Sequence, residues 1–159
     1  MTTDRVHEFV IERSVLVDAP ASTVHGFLDD LHRWTSWSPW EGSDPDLSRT
    51  YSGSKSGVGA SYAWSGNRKA GAGSMTIVDS TDDRVVLDLL FTKPFKATNV
   101  TIFLLSPAGS GTEVTWRMTG QQNLVARLVG RIVPMDRLIG RDFEKGLAAL
   151  KLQAEQQDR

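Results

Sequence analysis

The hydrophobic period of this chain changes once, and that change decides most of what it can fold into. From Gly59 to Gly120 apolar residues recur at every second position. Ala60, Tyr62 and Trp64 share one side of a strand, and Gly71, Gly73, Met75 and Ile77 share one side of the next. Val85, Leu87, Leu89 and Phe91 form another set, and Phe103 with Leu105 another. Val114, Trp116 and Met118 alternate with Glu113, Thr115, Arg117 and Thr119, the cleanest half-buried strand. Successive strand side chains point to opposite faces, so each set marks one face of a sheet. Ser65-Gly66-Asn67-Arg68, Ser80-Thr81-Asp82-Asp83 and Pro107-Ala108-Gly109-Ser110-Gly111 supply hairpin turns. Lys93-Pro94-Phe95 suits an edge or a strand junction, because proline cannot donate to a ladder.

The tail then takes a helical period. Leu124, Leu128, Ile132, Met135, Ile139, Phe143, Leu147, Leu150 and Ala154 form one stripe. Pro134 cannot donate to the carbonyl of Gly130, so a break belongs there. The spacing predicts a short helix ending near Ile132 and a long one from Pro134 to about Gln156.

Before the sheet region, Phe9 to Val17 alternates with apolar residues on both sides, which predicts a strand inside the domain. Pro20 suits a first helical turn, and Val24, Phe27, Leu28 and Leu31 follow at helical spacing. This short helix continues or restarts through Asp30 to Trp37. Residues 41 to 58 are polar loop with one short strand, Leu47 to Ser52. The order is strand, short helices, six strands, long helix. It predicts an α+β fold: a twisted antiparallel sheet of about seven strands, with one face covered by the C-terminal helix. A curved sheet around one helix leaves a wedge lined by large side chains.

With 159 residues the chain is the size of one domain, taken as residues 1–159. It has no cysteine, so disulfides and cysteine-ligated metals are excluded. A net charge of −1 gives no footprint for nucleic acid. No apolar run approaches a membrane span, and no signal-peptide core opens the chain, so a cytoplasmic location is expected. Asn99-Val100-Thr101 matches a glycosylation acceptor, read as chance without a secretory signal. His7, His25 and His32 lack metal-ligand spacing, and no phosphate-loop or nucleophile-elbow pattern occurs. No cofactor is implied. Monomer and homodimer both stay open.

Several stretches carry a resemblance. They are Arg13-Ser14-Val15-Leu16-Val17-Asp18-Ala19-Pro20, the run from Trp34 to Asp44, and Gly57-Val58-Gly59-Ala60-Ser61-Tyr62-Ala63-Trp64-Ser65-Gly66-Asn67. Lys93-Pro94-Phe95, Thr112-Glu113-Val114-Thr115-Trp116 and Met135 to Leu147 add to it. Over essentially its whole length the chain resembles the SRPBCC superfamily (START-like, polyketide cyclase/dehydrase-like). The resemblance implies a helix-grip fold whose inward sheet residues line a cavity. It implies no single activity, since that superfamily includes lipid carriers, hormone-binding proteins, aromatase/cyclases and a chaperone-ATPase activator.

The expected partner is a hydrophobic or aromatic small molecule, of lipid, polyketide-like or isoprenoid type, held between sheet and C-terminal helix. Trp34, Trp37 and Trp40 either plug one end of the sheet or form the pocket mouth. Tyr62, Trp64, Met75, Phe91, Phe103, Trp116 and Met118 are candidate sheet lining, with Met135 and Ile139 on the helix wall. Ordinary core packing is the competing role for each. A cyclase/dehydrase alternative would draw on Tyr62, Asp88 or Arg117 for acid–base help. Arg13, Asp88 and Arg117 need partners if they face inward, and solvent otherwise. A third possibility is a protein-interaction module built on the sheet or the Trp34–Trp40 run.

Overall fold

A computed structural model describes residues 8–121 and 135–157, apart from Ser43, Lys69, Pro94 and Phe95. The chain runs β1 (Glu8–Val17), α1 (Ala21–Leu28), a 3-10 helix (Leu31–Ser36), β2 (Ser48–Gly53) and β3 (Ala60–Ser65). It continues through β4 (Ala72–Thr81), β5 (Arg84–Lys93), β6 (Ala97–Ala108) and β7 (Gly111–Gln121) to a long helix, here α2 (Met135–Gln157). The seven strands form one antiparallel sheet in the order β1-β7-β6-β5-β4-β3-β2. This is the α+β arrangement that the period change predicts, and it is the helix-grip fold that the resemblance implies.

Local chemistry sets the short elements. Pro20, with φ −67°, caps α1, and its carbonyl accepts from Thr23 and Val24. The Asp30 carboxylate accepts from the backbone N–H of His32 at 3.0 Å and starts the 3-10 helix.

Helix α2 is docked along β1. The Arg13 guanidinium bonds Asp136 and Glu144 at 3.3 and 3.2 Å. Further along, Lys151 Nζ donates to the Leu16 carbonyl and the Asp18 N–H donates to Glu155. The helix thus starts level with Arg13 and runs toward Asp18. Its buried stripe is Phe143, Leu147, Leu150 and Ala154. Helix α1 packs over β5 and β6 with Val24, Phe27 and Leu28 buried.

Two expectations change. Among the described residues strand β1 is an edge strand, paired only with β7, not an interior one. Its inward residues meet α2, while Val10 and Leu16 stand 48% and 61% exposed on the convex face. Apolar residues on both sides therefore did not mean burial on both sides. Gly71 lies in the turn at φ +67°, and β4 begins at Ala72. The helix predicted to end near Ile132, the break at Pro134, and Pro94-Phe95 lie outside the described residues.

Candidate functional site

The pairing register turns the concave face into rows that cross the sheet. One row carries Arg13, Trp116, Phe103 and Val85. The next carries Ile11, Met118, Thr101, Leu87 and Ile77. A third runs Phe9, Gly120, Asn99, Leu89, Met75, Tyr62 and Tyr51. A fourth holds Ala97, Phe91, Gly73, Trp64 and Arg49.

The first two rows are closed. Trp116 stacks on Phe143 with ring centroids 4.0 Å apart, and Phe103 lies against both Trp34 and Trp37. Trp34 and Trp37 are buried, and their indole N–H groups donate to the carbonyls of Leu28 and Phe27 at 2.9 and 3.1 Å. These bonds tie the 3-10 helix to α1 and satisfy both indoles internally.

The third and fourth rows are open on their β2–β4 side, whereas Leu89 and Asn99 of the third row are buried. Tyr51, Tyr62, Trp64, Met75 and Phe91 are each half-buried and continuous with the core. Tyr62 stacks near-parallel on Trp64 at 6.0 Å, and Phe91 meets Trp64 edge-on at 5.7 Å. Gly73 permits this: a Cβ there would stand 2.7 Å from the Trp64 ring and 2.4 Å from the Leu90 carbonyl. Trp64 is fixed by its N–H bond to the Ala70 carbonyl at 3.1 Å. Because α2 starts at Arg13 and runs away from Phe9, these rows lie beyond its N-terminal end.

The 3-10 helix borders the β2 end of the open rows. His32 stacks on Tyr51 at 3.9 Å, and the two border a pocket of about 200 Å³ with Leu31, Ser54, Lys55 and Ser61. Burial raises the phenol pKa of both Tyr62 and Tyr51, an effect that the nearby Arg49 cation partly offsets. Arg49 is itself held by Glu41 and lies beside Tyr62. Both phenols are neutral hydrogen-bonding groups at physiological pH.

The sequence-derived candidates therefore separate. Tyr62, Trp64, Met75 and Phe91 share the open rows. Phe103, Trp116 and Met118 are buried in the closed ones. Ile139 packs half-buried against the core from α2, and the Met135 side chain lies outside the described residues. Trp40 is 44% exposed, its ring edge-on to Trp116 and Phe143 and its N–H on Asp142 at 3.2 Å. Asp88 and Arg117 lie on the convex face, Asp88 exposed and Arg117 beside Glu12 at 3.4 Å. Neither shares a face with Tyr62. Arg13 does face inward, and its partners come from α2.

Tyr51 and Arg49 were not site candidates in the sequence reading, and His32 entered it only as lacking metal-ligand spacing. The signal was the alternation Arg49, Tyr51, Gly53, whose meaning depends on the Tyr51–Tyr62 pairing. His25, set aside as lacking metal-ligand spacing, links two elements: Nε2 lies 3.0 Å from Ser80 Oγ and Nδ1 3.6 Å from Asp29. The second distance is too long for a hydrogen bond, so the arrangement serves to fasten α1 to β4. Among the described residues no cluster of His, Asp and Glu could hold a metal ion.

Residues 8–155 match the family model described as polyketide cyclase / dehydrase and lipid transport. The chain belongs to that family. No curated protein matches the sequence. Solved structures share the family fold at low identity. Protein CV1439 from Chromobacterium violaceum is 13% identical, with 92% of this chain and 96% of that one covered at a TM-score of 0.65. TTHA0849 from Thermus thermophilus is 13% identical, with 95% and 100% covered at 0.66. The Aha1 dimer from Colwellia psychrerythraea is 14% identical, with 92% and 96% covered at 0.63. At such identities the likeness is one of fold. Among the described residues no helix is long and apolar enough to cross a membrane.

Proposed function

We propose that this protein binds an apolar, aromatic small molecule on the open rows of the concave face, against Tyr62, Trp64, Met75 and Phe91. The observation that carries the reading is the division of one face. Its closed rows are sealed by α1, α2 and buried tryptophans, while its open rows leave an aromatic bed half-exposed. An exposed aromatic bed continuous with a core is the expected form of a site for a flat apolar ligand. Burying roughly 200 Å² of such a ligand at about 25 cal/mol per Å² supplies about 5 kcal/mol before ordering costs. The family's description, which includes lipid transport, supports the same reading.

Binding is favoured over catalysis because two of the three polar candidates, Asp88 and Arg117, stand on the opposite face from Tyr62. An interaction role for Trp40 is disfavoured because its ring and N–H are already engaged by Trp116, Phe143 and Asp142.

Calorimetric titration with 2-naphthol tests the reading. Wild type should bind it, and Trp64→Ala should weaken binding about tenfold through lost stacking and area. An absence of binding by wild type up to the solubility of the probe would remove the proposal.

A further inference from the structure

Where the 3-10 helix meets the turn after β2, the pocket beside His32 and Tyr51 is lined differently from the aromatic bed. None of its lining residues is acidic, although the chain as a whole carries a net charge of −1. Lys55 stands in that lining with neither a hydrogen bond nor an ion pair among the described residues, on its ammonium or on its backbone N–H.

Backbone chemistry holds Lys55 at the pocket. Gly53 has φ +73°, and a Cβ on it would collide with the Gly59 carbonyl, so the turn closes this tightly only without a side chain. The Ser54 N–H donates to the Gly59 carbonyl at 3.2 Å, and the Gly57 N–H to the Asp29 carbonyl at 2.9 Å. The second bond ties the turn to the link between α1 and the 3-10 helix. His32 comes from that 3-10 helix and is fixed on two sides. Its ring stacks on Tyr51, and Nδ1 lies 3.2 Å from Asp30 Oδ1. A carboxylate only accepts, so Nδ1 carries the hydrogen and Nε2 is the ring's remaining polar atom.

Two serine hydroxyls of the lining are already engaged, Ser54 with the Val58 carbonyl at 2.9 Å and Ser61 with the Met75 carbonyl at 3.2 Å. The donors left free among the described residues are the Lys55 ammonium and N–H and the hydroxyls of Ser52 and Tyr51. An unopposed cation among free donors favours an anion. These donors come from β2 and from the turn, with His32 Nε2 added from the 3-10 helix. They suit a tetrahedral oxyanion, with oxygens on every side, better than a planar carboxylate. A volume of about 200 Å³ admits only a small group. We propose that this pocket binds a phosphate group, with Lys55 as its counter-charge and His32 Nε2 joined to a phosphate oxygen through one shared proton. The proposal does not depend on a ligand at Tyr62 and Trp64.

The test titrates inorganic phosphate into ¹⁵N-labelled protein at constant ionic strength, balanced with chloride. The backbone signals of Ser52 and Lys55 should move and saturate. Lys55→Met, at an exposed position, should weaken binding about tenfold or more through loss of a charge-assisted bond. Lys145→Met, on exposed α2 surface, should leave it unchanged. His32→Phe keeps a ring against Tyr51 but no ring nitrogen, and should weaken binding in the same direction as Lys55→Met. Vesicles of phosphatidylcholine containing phosphatidic acid distinguish the sources of the phosphate. Co-sedimentation of wild type that Lys55→Met abolishes assigns it to a lipid head, and any other vesicle result assigns it to a soluble molecule. Signals of Ser52 and Lys55 that stay fixed in phosphate, or equal weakening by Lys55→Met and Lys145→Met, would overturn the site.

Discussion

The Arg13 guanidinium packs directly against Gly140. A Cβ on Gly140 would stand 2.1 Å from Arg13 Nη2 and 2.6 Å from Cζ. The bare helix backbone at that point lets one side chain reach Asp136 and Glu144 on either side. Those hydrogen bonds, that to Asp136 foremost, raise the Arg13 pKa against a smaller effect of burial.

A double-mutant cycle reads this relationship. In an Arg13→Ala background, Gly140→Ala should stabilise by about 1 kcal/mol, the helix preference of alanine over glycine. In wild type the same substitution must displace the guanidinium, so the gain should vanish or reverse. A coupling near 1 kcal/mol in urea denaturation is expected. Equal gains in both backgrounds would show that the contact does not matter.

Gly146→Ala should behave oppositely. A Cβ there would stand 2.8 Å from Pro39 Cδ and 2.9 Å from Trp116 Cζ3. Both are rigid groups in the packed aromatic cluster. Overpacking of this kind costs about 1–3 kcal/mol, more than the helix preference returns. A stabilised Gly146→Ala variant would contradict the close approach of α2 to the sheet.

Asp29 carries a pH-dependent cost. Burial raises its carboxyl pKa, and the charge of nearby His25 offsets this only in part. It also caps the C-terminus of α1, where negative charge is unfavourable. With a folded pKa above the unfolded one, stability is fullest below the ordinary carboxylate range and declines as pH rises through the folded pKa. Asp29→Asn should therefore stabilise the protein by about 0.3–1 kcal/mol at neutral pH. The difference should close near pH 3, at which both states of wild type are largely protonated. A variant less stable than wild type at pH 7 would count against this account.

The period change made the sheet and its covering helix legible because each responds to one local rule, alternation or a helical stripe. The β2 strand was also visible, within a residue, from its short alternating run. What escaped was non-local. Tyr51 became a candidate only through its pairing with Tyr62, and His32 only through its stack on Tyr51. From the sequence Trp34 and Trp37 could be either plug or pocket mouth. Their indole bonds to Leu28 and Phe27 depend on the angle between the 3-10 helix and α1, which no spacing encodes. Asp88 and Arg117 illustrate the remaining ambiguity: alternation shows which residues share a face but not which face is inward.

The chain's five tryptophans allow the central claim to be tested in one titration. Each indole N–H gives its own signal in a ¹⁵N correlation spectrum, assigned by Trp→Phe substitutions. On addition of 2-naphthol, the Trp64 signal should move most. The signals of Trp34 and Trp37, bonded to backbone carbonyls inside the closed rows, should hold still. Movement confined to Trp40, or an unchanged Trp64 signal at saturating probe, would contradict a ligand site on the open rows.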